Sequence, residues 1–177
     1  MGKVVSMMEE LIARARRREP KAFTELMQMH MQPMYKVARA MLCSDADVAD
    51  AVQETILGCW EKIGQLKEGK YFKTWMIRML INKCNDILRA GRRYVPEERM
   101  PEVAAFDRHF ENVEWNEALK SIDEKYRLVI MLYYVEGFKT SEISQILDIP
   151  ESTVRTRLSR GREKMAVIYG GAERRAL

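Results

Sequence analysis

Apolar residues in this chain recur at intervals of three and four almost from end to end, and no useful length of it alternates apolar with polar. That periodicity lays one apolar stripe on each of a series of helices and leaves no strand from which to build a sheet. Met8, Leu11, Ile12 and Ala15 stand at i, i+3, i+4 and i+7. Pro20 can open a second helix, because the N–H it lacks has no partner in a first turn. Helical spacing then runs through Leu26, Met27, Met34, Val37, Ala38, Met41 and Leu42, with Pro33 expected to break or kink the helix. Ser44 and Asp45 can cap a third helix reaching about Ile63, in which Val48, Val52, Ile56, Leu57 and Trp60 are available to pack. A loop from Gly64 to Gly69 leads to a helix starting near Phe72 or Lys73 and ending in the basic run Arg89 to Arg93. Val129 to Val135 is rich in β-formers, but Leu119, Ile122, Leu128, Met131 and Leu132 hold it in helical register.

With 177 residues, 47% of them apolar, the chain has enough material for one medium domain or two small ones. No apolar run approaches the ~18 residues of a membrane span, and the charged N-terminus lacks the apolar core of a secretory signal. An intracellular, cytoplasmic location is the expectation. The net charge of +4 is unevenly spread. Residues 1–93 hold 17 basic and 11 acidic side chains, 94–114 hold 2 and 6, and 115–177 hold 11 and 9. Two basic blocks flank an acidic strip containing Pro96 and Pro101, which reads as two modules and a flexible linker. Basic blocks point toward a polyanion, most often nucleic acid.

Conventional site chemistry is absent from the pattern. Cys43, Cys59 and Cys84 are odd in number and lack C-x-x-C spacing, so they read as buried thiols. His30 and His109 are far apart and form no metal-ligand or nucleophile–base pattern. With no P-loop and no carboxylate cluster, no catalytic residue, cofactor or metal site is expected.

Residues 137–164 read as a helix-turn-helix. Thr140 or Ser141 can cap a short helix carrying Ile143, Ile146 and Leu147; Asp148 to Pro150 forms the turn. A second helix opens at Glu151 or Ser152 and runs to about Met165. Val154, Leu158 and Met165 face a core, while Arg155, Thr156, Ser159 and Arg160 share the opposite side. Arginine suits bidentate contact with guanine; serine and threonine suit phosphates or base edges.

A second pattern lies upstream. Arg78, Asn82, Asp86 and Arg89 form one polar stripe, with Tyr71, Phe72 and Trp75 at its N-terminal end. Aromatic faces beside a basic helix are what single-stranded nucleic acid needs, for stacking and for backbone charge.

Taken together these motifs resemble the extracytoplasmic-function sigma factors of bacterial RNA polymerase. The matching residues are Asp50-Ala-Val-Gln53-Glu54 with Trp60, Phe72-Lys-Thr-Trp75 followed by Arg78, Asn82, Asp86 and Arg89, and Ser152-Thr-Val-Arg155-Thr-Arg157. The resemblance spans about residues 20–170. Ile56 stands where the family usually has an aromatic, and Leu80 where a small residue is common. It implies an all-α protein with an N-terminal domain over 1–93, a linker over 94–114 and a C-terminal helix-turn-helix domain over 115–177. Asp50, Gln53, Glu54, Leu57 and Trp60 would dock on core RNA polymerase. Lys70, Tyr71, Phe72, Trp75, Arg78, Asn82, Lys83, Asp86 and Arg89 would hold and melt the minus-ten element as a single strand. Ser152, Thr153, Arg155, Thr156, Arg157, Ser159 and Arg160 would read the duplex minus-thirty-five element. An anti-sigma factor, often membrane-anchored, is the further partner implied. A conventional helix-turn-helix regulator with an N-terminal dimerisation or sensing domain accounts for residues 137–165 but not for the aromatic-basic helix at 71–93.

Overall fold

The computed structural model describes residues 2–92, 119 and 121–173. The expected linker over 94–114 lies outside the described residues, as does Arg93. The helices are α1 (Gly2–Arg16), α2 (Pro20–Met41), α3 (Asp45–Lys62), α4 (Phe72–Arg92), α5 (Glu124–Ile130), α6 (Thr140–Leu147) and α7 (Glu151–Glu173), with no strand among the described residues. Short 3-10 turns at Ile63–Gln65 and Gly69–Tyr71 shape the connection between α3 and α4.

Local chemistry explains most boundaries. The Ser44 hydroxyl accepts the Asp47 N–H at 3.3 Å, and Asp45 and Asp47 complement the positive end of the α3 dipole. Pro33 does not break α2: the helix continues to Met41, with Met34, Val37 and Ala38 fully buried just beyond it. Tertiary packing of that face outweighs the lost backbone hydrogen bond. The β-former-rich stretch is helical as expected, but Met131–Val135 widens into a π turn, closed by the Glu136 N–H donating to the Met131 carbonyl at 3.0 Å. Two expectations at the C-terminal end need correction. The first helix of the helix-turn-helix is capped by the Glu142 carboxylate, which accepts the Lys139 N–H at 2.7 Å. The Thr140 hydroxyl instead donates to Glu151 at 2.6 Å, tying the two helices together. The second helix continues past Met165 to Glu173.

The α1–α4 group and the α5–α7 group share one continuous apolar core. Leu26, Met34, Phe72, Ile77 and Leu80 from the first join Val129, Leu132, Ile143, Ile146 and Val154 from the second. A smaller cluster gathers Ala40 with Leu119, Tyr126, Ile130 and Met165. Two polar ties reinforce the junction. The buried Arg127 guanidinium donates from Nε to the Ala40 carbonyl at 2.8 Å. Lys73 donates to the Glu136 carbonyl at 2.8 Å, lies 3.2 Å from the Glu136 carboxylate and sits over the Phe138 ring at 4.8 Å.

Candidate polymerase and nucleic-acid interfaces

On α3, Val48, Ala51, Val52, Thr55 and Cys59 face the core, which turns Asp50, Gln53, Glu54 and Leu57 outward as an i, i+3, i+4, i+7 stripe. Leu57 was available for packing on sequence grounds, yet it is 58% exposed. A single exposed leucine is ordinary on a protein surface; this one shares its face with Asp50, Gln53 and Glu54. Trp60, half-buried at the end of the same helix, stands edge-on to Phe23 at 4.9 Å. Its other neighbour is Arg18, 5.4 Å from the ring, whose guanidinium donates to the carbonyls of Trp60 and Glu61 at 2.7 and 2.9 Å. Arg18 takes a left-handed backbone conformation, φ 64°, to reach them.

The next patch begins with the loop that α3 leads into. Ile63 and Leu66 are buried, while Lys67, Glu68, Lys70 and Tyr71 face solvent. Lys70 pairs with Glu68 at 2.6 Å and lies over the Tyr71 ring at 4.8 Å, and its ammonium is held charged above its ordinary range by the hydrogen bond to Glu68. Tyr71 is 46% exposed. Phe72, the next residue, is 1% exposed, edge-on to His30 at 5.3 Å and tilted against Trp75 at 6.0 Å. It offers no free face for a base here; it supports the half-buried Trp75 from the core side. Farther along α4, Arg78, Asn82, Asp86 and Arg89 are all exposed, with Arg89 pairing to Asp86 at 3.3 Å. Lys83 turns toward α3 and pairs with Glu54 at 3.3 Å, so it links the stripe on α4 to the stripe on α3.

The third patch is the outer side of α7. Val154 and Leu158 are buried, Met165 joins the smaller core, and Ser152, Arg155, Thr156 and Arg160 are exposed, with Thr153, Arg157 and Ser159 half-buried. Asp148, at φ 53°, makes the left-handed turn, and the Ser144 hydroxyl donates to the Ile149 carbonyl at 2.6 Å. Gly161 lets α7 lie close to α5: a Cβ there would meet Ile130 Cδ1 at 2.7 Å. Arg155 donates to the Glu151 carboxylate at 2.7 Å; hydrogen bonds from Thr140 and Arg155 hold that carboxyl below its usual range. The Arg155 side chain is thus oriented along the helix by its pair with Glu151. Arg160 hydrogen-bonds the Tyr126 phenol and lowers its pKa.

The second and third patches meet. Arg78, Asn82 and Asn85 line one wall of an open groove of about 620 Å³, and Glu124, Lys125, Asp148 and Arg157 line the other. Lys73, Arg127 and Asn85 were not singled out in the sequence. Their roles depend on partners some 63 and 87 residues away for Lys73 and Arg127, beyond any local periodicity. Burial pushes the Cys59 and Cys84 thiols up to about 12, which leaves them unreactive. Among the described residues no group of three or more His, Cys, Asp or Glu is placed to hold a metal ion, and no helix is long and apolar enough to cross a membrane.

The chain is similar to known proteins in sequence and in fold. Residues 26–94 match the family described as Sigma-70 region 2, and residues 113–165 match Sigma-70, region 4. Among curated relatives, the ECF RNA polymerase sigma factor SigW of Bacillus subtilis is 26% identical over 178 aligned positions, covering 90% of this chain and 95% of that protein. The ECF RNA polymerase sigma-E factor of Salmonella typhimurium is 27% identical over 176 positions, covering 86% and 89%. Two solved structures share the fold. CnrH in complex with the cytosolic domain of CnrY gives a TM-score of 0.70 at 24% identity, covering 93% of this chain and 97% of that one. The sigma factor RpoE in complex with the anti-sigma factor NepR from Bartonella quintana gives 0.75 at 20%, covering 85% and 98%.

Proposed function

The chain belongs to the extracytoplasmic-function sigma factors of bacterial RNA polymerase, and from that premise we propose how its residues divide the work. It binds core RNA polymerase and directs promoter-specific initiation; the bond chemistry is the polymerase's own. The observation that carries the division is the pairing, in one chain, of an exposed helix-turn-helix face with an exposed Arg78–Asn82–Asp86–Arg89 stripe beside Tyr71. A conventional helix-turn-helix regulator has no use for the second.

In this proposal the first domain spans 1–93 and the last 115–177, with 94–114 as the tether. The α3 stripe of Asp50, Gln53, Glu54 and Leu57, ending at Trp60, docks on core polymerase, with acids at its edge and Leu57 at its apolar centre. Lys70 and Tyr71 receive the melted minus-ten strand, and α4 tracks its backbone with Arg78 and Arg89. Unstacking a base costs a few kcal/mol, which a pocket and a stacking ring recover. Phe72 and Trp75 keep the ring-bearing turn rigid, and Asp86 orients Arg89. On α7, Arg155 and Arg160 read base edges of the minus-thirty-five duplex, while Ser152, Thr153, Thr156, Arg157 and Ser159 set its register through phosphates. The solved complexes of similar sigma factors with anti-sigma partners support one more proposal: such a partner covers exposed apolar side chains including Met29, Met31, Tyr133 and Tyr134. The protein would then work in the cytoplasm, held at the inner membrane face when that partner is anchored there.

Co-purification with core polymerase, followed by run-off transcription on mapped promoters, tests the whole reading. Tight binding to duplex promoter DNA by the chain alone, with no transcript when core enzyme is added, would overturn it.

A further inference from the structure

Helix α1 lies outside the region 2 match, which begins at residue 26, yet the loop between α3 and α4 is mounted on it. Ile12, itself 4% exposed, sits beneath Gly69: a Cβ at that glycine would stand 3.3 Å from Ile12 Cγ2. The loop backbone is therefore seated on α1 immediately before Lys70 and Tyr71. Upstream of Gly69, Ile63 and Leu66 are buried in the same core as Ile12. At the point where the loop leaves α3, Arg18, just past the end of α1, donates to the carbonyls of Trp60 and Glu61 at 2.7 and 2.9 Å. The loop is held at its start by the turn after α1 and at its far end by α1 itself, so α1 sets its height and tilt.

We infer that α1 is a positioning element for minus-ten reading, with Ile12 as the positioning residue, and that the seat it gives Gly69 sets which bases the loop prefers. Hydrogen bonds to a flipped base fade over a few tenths of an ångström, and a site loosened by about 1 Å loses much of its selectivity. A displacement of that size follows from a small change at the contact between Ile12 and Gly69. The inference rests on the assignment of the loop to the minus-ten element.

The test uses the full chain with core polymerase on promoters randomised across the minus-ten element behind a fixed minus-thirty-five element. Gly69→Ala and Ile12→Ala are expected to redistribute base preference several-fold while core affinity and minus-thirty-five preference stay as in the parent. Ile12→Val should return the parental profile. An unchanged profile in Gly69→Ala and Ile12→Ala, with only a uniform loss of transcript or thermal stability, overturns the inference. Tyr71→Ala separates the two levels: if it alters the profile while the other two do not, α1 is not the mount; if none of the three alters it, the loop assignment falls as well.

Discussion

The two halves of the molecule present the residues proposed for recognition differently. On α7 a single helical period sorts the chain cleanly, with Val154 and Leu158 inward and Arg155, Thr156 and Arg160 outward. Between α3 and α4 the same kind of side chain is divided between surface and interior: Tyr71 is exposed and Phe72, its neighbour, is core. A duplex groove accepts a whole helix, so one face suffices. A single strand is held by exposed aromatic rings on which its bases stack, and here the exposed Tyr71 adjoins the buried Phe72.

The largest expected effect tests that division. Phe72→Ala should cost about 3–5 kcal/mol of stability in urea denaturation. Tyr71→Ala should stay within ~0.5 kcal/mol while lowering promoter-specific transcript several-fold. Equal destabilisation by both would dissolve the distinction between support and reader. Gly161 on α7 and Gly91 on α4 offer the next contrast. Gly161→Ala drives a Cβ against the buried Ile130 and should lose about 1–3 kcal/mol. Gly91→Ala on α4 meets nothing within 4 Å and should gain up to ~1 kcal/mol from helix propensity. Thermal melts decide both signs.

Arg155→Ala should lower discrimination at one minus-thirty-five position by about 1–3 kcal/mol, read by competition between matched and mismatched promoters. Unchanged discrimination would remove α7's Arg155 from base reading. The smallest effect concerns pH. Burial, with a smaller contribution from Lys73, holds the His30 pKa below its ordinary value of 6.5. The unfolded chain therefore binds a proton more readily than the folded one, and the stabilisation present above about pH 6.5 is lost as pH falls toward the folded pKa. Urea midpoints should drop between about pH 7.5 and 5.5 in the parent and drop less in His30→Gln, whose side chain does not titrate. Equal slopes would show that other groups carry the acid sensitivity.

Much of this was legible in the sequence, for identifiable reasons. The Ser44 cap, the start of α4 at Phe72 and the inward set on α7 follow from local chemistry and period. Pro33 misled because its local cost is outweighed by packing it does not itself reveal. The sequence allows Leu57 either to pack or to dock, because hydropathy alone does not say which apolar residue stays at the surface; it is exposed. Phe72 and Tyr71 could not be told apart because they straddle a 3-10 turn, where the helical period has not begun. The Lys73–Glu136 and Arg127–Ala40 ties join distant segments and leave no periodic trace.

The shared core of the two halves has a consequence for loading. Promoter elements named for positions minus ten and minus thirty-five lie some 25 base pairs apart, about 85 Å of duplex at roughly 34 Å per ten base pairs. A folded chain of 177 residues has a radius of gyration near 16 Å if it stays compact. With one element assigned to each half, the molecule described here is too short to touch both. In the proposed division of work, contacts of Leu132, Phe138 and Ile143 with the first half would be exchanged for new ones, or for water, before both elements are engaged. On that division the compact form would compete with promoter engagement. The apparent affinity for polymerase would then be the intrinsic affinity scaled by the fraction of molecules already parted. Any partner that binds only the joined form lowers that fraction without touching a DNA-reading residue.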